Sequence, residues 1–248
     1  MTRKLLPAFA LSALLAQPAG ALDLGSMTDS ERADFGRAVR NYLMDNPEVL
    51  MEAINELEKK QNAQIAQNDQ QLIATNEDEL TNDPESWVGG NPDGDVTIVE
   101  FMDYRCGYCK KAYPEINALL KSDGHIRFIV KEFPILGDAS VKAARFAIAT
   151  KQVAGDEAYE KVHNALMTLR GDISDDSLSA LAKKLDLDGD AIQKAAASPE
   201  VEKVIEANYA LGQRMGLSGT PSFVIGDEML RGYAPEEAMK KIVADQRG

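Results

Sequence analysis

Val96-Thr97-Ile98-Val99-Glu100-Phe101-Met102-Asp103-Tyr104-Arg105-Cys106-Gly107-Tyr108-Cys109-Lys110 runs from a strand into a helix through the only two cysteines of the 248-residue chain. Residues 96–102 are β-branched, apolar and aromatic with a single acid, the composition of a buried strand. From Lys110 to Lys121, Ile116, Leu119 and Leu120 recur at helical spacing, with a kink expected at Pro114. Cys106 therefore falls near a helix N-terminus, where unpaired amides and the macrodipole favour an anion. A thiol placed there becomes a better nucleophile, and a second thiol one turn on can resolve what it forms. With no third cysteine, any redox chemistry of this chain takes place at this pair.

Outward from this stretch, the N-terminal residues read as an export signal. Arg3 and Lys4 precede a mostly apolar run, Leu5–Leu15, too short to span a bilayer, and Ala19-Gly20-Ala21 suits cleavage, so residues 1–21 are expected to be removed. The net charge of −13 becomes more negative once that basic leader is gone. So acidic a chain has no electrostatic reason to bind nucleic acid or an anionic membrane.

Residues 22–84 read as a helical extension. Thr28-Asp29-Ser30-Glu31 forms a capping box that opens a helix carrying Phe35, Val39 and Leu43. Asp45-Asn46-Pro47 ends it and starts a second helix, with Asn46 as its N-cap, expected to run to about Glu79. Such a helix is roughly 45 Å long. Its narrow stripe of Leu50, Ile54, Leu57, Gln61, Ile65, Asn68 and Leu72 has no partner of its own length within the extension. Self-association into a homo-oligomer buries that stripe, with polar seam positions setting register; a solvated spacer is the alternative. Turn-rich segments at Thr81–Pro84 and Gly89–Asp95 put the boundary near residue 85.

Residues 85–248 then give strand, helix, a second strand (Ile126–Phe133) and a helical block between about 138 and 215, punctuated by Gly155, Gly171, Gly189 and Pro199. A hairpin of Pro221–Ile225 with Glu228–Arg231 and a last helix, Pro235–Ala244, close the chain. This is the α/β order of a thioredoxin fold with a helical insertion.

Two motifs sharpen the reading. Gly90–Asp95 followed by Glu100–Lys110 resembles the DsbA family of periplasmic thiol–disulfide oxidoreductases, and Gly219-Thr220-Pro221-Ser222-Phe223 resembles that family's cis-proline loop. The extension, the CGYC sequence and the threonine before the proline are most similar to the ScsC-like branch, whose members are trimerised by such an extension and can isomerise disulfides. The resemblance implies that Cys106 is the exposed nucleophile, that the more buried Cys109 resolves the mixed disulfide, and that the two form the redox-active disulfide Cys106–Cys109. Pro221 would be cis and the Thr220 backbone would pair with substrate. Glu100 would be the buried acid that moves the Cys109 proton, with a raised pKa from its apolar setting. The dipeptide Gly107-Tyr108 departs from the Pro-His pair of the founding member, which implies a less oxidising protein. No cofactor is called for. The implied partners are misfolded or disulfide-bearing exported proteins and a membrane-embedded redox protein.

Metal readings of the CxxC are weaker. A closed zinc site wants four ligands, and only His125 and His163 remain, at spacings that suggest no site; both read as surface or satisfied core histidines. Two thiolates can hold Cu(I), which leaves copper handling as the rival function. A purely structural staple is disfavoured, because closing so short a loop restrains the unfolded chain little. The direction of electron flow, as oxidase, isomerase or reductase, stays open at this point.

Overall fold

The computed structural model describes residues 25–248; the leader expected at residues 1–21 lies outside them. Two compact units divide between Lys59 and Lys60. In the first, α1 (Asp29–Asp45) opens on the capping box: the Thr28 amide donates to Glu31 Oε2 at 2.8 Å, and the Glu31 amide donates back to Thr28 Oγ1 at 3.4 Å. No residue of α1 is buried. Its Phe35, Val39 and Tyr42 are exposed, as are Leu50, Met51, Ile54 and Leu57 on the first half of α2 (Glu48–Thr75).

The second unit begins within α2. Its next elements are α3 (Glu77–Thr81), β1 (Trp87–Gly90), β2 (Val96–Met102), α4 (Gly107–Asp123) and β3 (Ile126–Glu132). The helical block comprises α5 (Asp138–Ala154), α6 (Asp156–Thr168), α7 (Asp175–Lys184), α8 (Gly189–Ala196) and α9 (Pro199–Arg214). The chain then forms β4 (Ser222–Ile225), β5 (Glu228–Arg231) and α10 (Glu236–Arg247). The strands make one five-stranded sheet in the order β1-β3-β2-β4-β5. Only β2 and β3, joined by α4, are parallel. This is a thioredoxin fold with a helical insertion, as the order of elements in the sequence implied.

Strand alternation explains why the core has two faces. Val96, Ile98 and Met102 of β2 share one cluster with Cys106, Cys109 and Ile116 of the α4 region and with Tyr159 and Val162 of α6. Val99 and Phe101 point the other way and join Ile73 of α2, Leu80 of α3 and Leu211 of α9. Glu100 occupies the alternate position between Ile98 and Met102, so its side chain goes to the face that holds both thiols.

Three features depart from the sequence reading. The long helix does not run to Glu79. It breaks at Asn76, whose amide is shared between the Leu72 and Ile73 carbonyls at 3.1 Å, while its side chain also donates to the Leu72 carbonyl at 2.8 Å and accepts from Arg214 Nε at 3.0 Å. Trp87–Gly90 lies in a stretch read as boundary and turn but forms the edge strand β1, held against Arg127–Val130 of β3. After it the chain crosses so close to β3 that a Cβ on Gly94 would lie 2.5 Å from the Arg127 nitrogen, which explains the glycine there. Finally, the compact body starts earlier than the turn-rich segment near residue 85. Asp69 takes Arg231 in a two-point ion pair at 2.7 and 2.8 Å, and Lys131 reaches Asp83 at 2.6 Å and the Glu79 carbonyl at 2.7 Å. α4, in contrast, passes through Pro114 unbroken.

Candidate active site

Cys106 is the N-cap of α4, with extended backbone and no side-chain cap hydrogen bond, so the first-turn amides remain available to an anion. Asp103 shapes the approach to the helix. Its carboxylate accepts from the Arg105 amide at 2.7 Å and the Leu136 amide at 3.0 Å, and its carbonyl accepts from the Cys106 amide at 3.0 Å. The pairing of Phe101 with Ser222 and of Glu100 with Phe223 sets β4 so that the residues just before it lie beside the end of β2. Thr220 and Pro221 therefore stand next to the first cysteine. Their peptide bond is cis, and Cys106 Sγ donates to the Thr220 carbonyl at 3.1 Å. Gly107 and Tyr108 are exposed, Tyr108 by 64%.

Cys106 is not exposed as expected: set against the Thr220 carbonyl and the core cluster it is buried, 7% exposed, while Cys109, one turn into α4, is buried completely. Burial pushes its thiol pKa up, and the negative charge of Glu100 pushes further. A backbone hydrogen bond from Asp103 and a side-chain hydrogen bond from Thr220 work in the opposite direction. Glu100 is itself buried, 2% exposed, and its Oε1 has no hydrogen-bond partner. Burial first, and the charge of Glu132 second, push its pKa up to about 8. The structure thus brings all five candidate residues together: Cys106, Thr220 and Pro221 in one contact zone, and Cys109 and Glu100 beneath them.

Reading the sequence missed a second buried acid. Glu132, 3% exposed at the end of β3, accepts Tyr104 Oη at 2.8 Å and Tyr159 Oη at 2.7 Å through Oε1, while its Oε2 has no partner. Burial pushes its pKa up to about 8 against the pull of those hydroxyls. Glu132 follows Lys131 in sequence, so it lacks the apolar residues on both sides that mark Glu100, and only the register of β2 and β3 reveals it. His163 closes this cluster, 3.1 Å from Tyr104 Oη and stacked on Tyr159 and Trp87. Burial lowers its pKa to about 4, so it is a neutral core histidine, whereas His125 is exposed.

Glu100 also lines a cavity of about 360 Å³ shared with Tyr113 and Lys121 of α4 and with Glu160 and His163 of α6. A larger cavity, about 790 Å³, is lined by charged residues including Asp83 and Lys131 and is not lined by either thiol. Among the described residues no group of three or more His, Cys, Asp or Glu side chains is placed to hold a metal ion. Cys106 and Cys109 offer two soft ligands and no third.

Comparison with known proteins agrees with this geometry. Residues 97–244 match the model of the DSBA-like thioredoxin domain, and residues 31–64 match that of the copper resistance protein ScsC N-terminal domain. A thioredoxin-like oxidoreductase from Silicibacter pomeroyi is 39% identical with a TM-score of 0.64, covering 68% of this chain and 96% of its own. Salmonella enterica Typhimurium BcfH is 28% identical at TM-score 0.72, covering 88% and 97%. Proteus mirabilis ScsC in a transitional conformation is 27% identical at TM-score 0.65, covering 90% and 97%. Among curated proteins, the Na(+)/H(+) antiporter NhaA 1 of Salinispora arenicola is 28% identical over 157 residues, so the chain spans about a quarter of that relative's length, 24%. Disulfide bond formation protein D of Bacillus subtilis is 25% identical over 168 residues, which cover 74% of it. A family match over most of the sheet and insertion, together with a CxxC at the head of α4 beside a cis-proline, leads to one conclusion: this chain belongs to the DsbA-like thioredoxin family of thiol–disulfide oxidoreductases and carries an N-terminal segment of the ScsC type.

Proposed function

We propose that this chain is an exported, periplasmic disulfide isomerase acting on misbridged proteins through Cys106 and Cys109. The observation that carries the chemistry is the asymmetry of the two thiols. Cys106 sits at the helix start against the Thr220 carbonyl, whereas Cys109 is fully buried with Glu100 on the same face. In this reading Cys106 attacks a substrate disulfide and forms a mixed disulfide, releasing a substrate thiolate. That thiolate can attack another disulfide of the same substrate, or Cys109 can resolve the intermediate by attacking Cys106. Glu100 accepts the Cys109 proton. Substrate main chain pairs at Thr220, while the exposed Tyr108, Ile135 and Leu136 offer apolar contact near Asp103 and Cys106.

Isomerisation requires that a substrate be held while its disulfides are tried again. Several active sites on one oligomer supply this through effective concentration. The exposed apolar side chains of α1 and the first half of α2 support a homo-oligomer, a trimer by the ScsC resemblance, whose contact region lies within residues 22–84. A membrane-embedded reductase would keep the dithiol reduced. The test compares the mature chain with residues 60–248 on a scrambled, disulfide-bearing substrate. Both should reduce a small disulfide at similar rates, and only the intact chain should unscramble. Equal unscrambling by both would remove the role of the extension. A second reading, Cu(I) handling by the two thiolates, draws on the copper-resistance description of the N-terminal match. Copper(I) titration of the protein and of Cys106→Ser separates the two, since only a copper site loses stoichiometric binding.

A further inference from the structure

The mechanism above leaves Glu132 without a part. Glu132 pairs with Met102, and Glu100 pairs with Val130 two residues earlier on β3, so both carboxyls lie on the same face of the sheet as Cys109. Among the described residues no salt bridge reaches either carboxylate, and each leaves one oxygen without a partner. The loop after β2 presents Tyr104 and Asp103 to Glu132, α6 presents Tyr159 and His163, and β2 presents Glu100. From α9, the Asn208 amide donates to the Glu132 backbone carbonyl at 3.0 Å. Glu100 is faced by Glu132 from β3 and Cys109 from α4, and its cavity carries Tyr113, Lys121, Glu160 and His163.

The two acids differ in their partners. Two tyrosine hydroxyls donate to Glu132 and favour its ionised form more than the like charge of Asp103 opposes it, while Glu100 Oε1 accepts nothing. Glu132 therefore releases its proton first. Its charge, close by and poorly screened, then holds the proton on Glu100 to higher pH.

We propose that Glu132 is a positioning residue for the resolving step, setting through its charge the proton affinity of the acid that serves Cys109. The inference rests on the role of Glu100 proposed above. In the step itself the Cys109 thiol gives its proton to the Glu100 carboxylate. The sulfur electron pair forms the Cys106–Cys109 bond as the bond from Cys106 to substrate breaks, and the substrate leaves as a thiolate. Glu132 makes and breaks no bond; its charge makes Glu100 the stronger base.

The test is stopped-flow oxidation of the reduced full-length mature protein by 5,5′-dithiobis(2-nitrobenzoate) across the pH range. The first thionitrobenzoate released reports Cys106 attack, and the second reports resolution by Cys109. Glu132→Gln keeps an oxygen for both tyrosine hydroxyls but carries no charge, and should lower the midpoint of the second phase by about one pH unit. Tyr159→Phe removes one donor, leaves Glu132 neutral to higher pH, and should shift the midpoint the same way by less. Glu100→Gln should abolish the pH-dependent limb. Unchanged or raised midpoints in Glu132→Gln and Tyr159→Phe, with the limb lost in Glu100→Gln, would overturn this inference alone. Persistence of the limb in Glu100→Gln would overturn the role of Glu100 instead. If circular dichroism shows Glu132→Gln to be unfolded, the Tyr159→Phe midpoint decides.

Discussion

Glu100 should cost the fold stability as the pH rises, and Glu100→Gln should remove that cost. Its carboxyl is buried and pushed up to about 8, whereas in the unfolded chain it has the ordinary value of 4.5. A carboxyl raised on folding is bound to its proton more tightly in the native state. Its contribution is complete below the unfolded value and is lost as pH climbs toward the folded one. Integrated from pH 5 to pH 8, the loss amounts to about 3–4 kcal/mol. Glutamine matches the shape of the neutral acid and does not titrate, so the stability difference between variant and parent isolates the term. Urea denaturation at several pH values between 5 and 8 should show Glu100→Gln gaining about 3 kcal/mol on the parent over that interval. In thermal melts at the same pH values this corresponds to roughly 10 °C for a body of this size. A difference that stays constant within about 0.5 kcal/mol across the interval would refute the burial argument for Glu100.

Two further outcomes follow from other parts of the body. Lys131 is 1% exposed at its side chain and is balanced by Asp83 at 2.6 Å, so Asp83→Ala should cost about 3–5 kcal/mol in urea denaturation, and a second change, Lys131→Met, should recover most of it. A loss below about 1 kcal/mol would show the pair to be solvated. Thr220→Val removes the side-chain hydrogen bond to Cys109 while leaving the carbonyl that faces Cys106. Resolution of the mixed disulfide should slow several-fold with the initial Cys106 attack unchanged, and equal slowing of both phases would place Thr220 at the wrong thiol.

Most of the fold was legible because its elements announce themselves locally. The capping box at Thr28–Glu31, the apolar strand before Cys106 and the glycine-punctuated helices of the insertion all depend on near neighbours in sequence. What escaped depends on distant partners. β1 is four residues with two glycines, and only its pairing with β3 makes it a strand. At the break, the Asn76 side chain is held by Arg214 from across the fold, and residues 60–84 are tied to the body through Arg231 and Lys131. The site divides the same way. Cys106, Cys109 and the Thr220-Pro221 loop stand out by residue type and order. Glu132 matters only because the register of β2 and β3 puts it beside Glu100, where Tyr104 and Tyr159 reach it.

The division of labour between the two thiols is tested most directly by trapping. Each single-cysteine variant is incubated with a disulfide-bearing exported protein, quenched with alkylating reagent and analysed by mass spectrometry. Cys109→Ser should accumulate a mixed disulfide through Cys106, because the nucleophile stands at the helix start against Thr220 while the resolving thiol is gone. Cys106→Ser should yield no adduct, because Cys109 is fully buried and its thiol pKa is pushed up. Adducts formed through Cys109, or none with Cys109→Ser, would contradict the account.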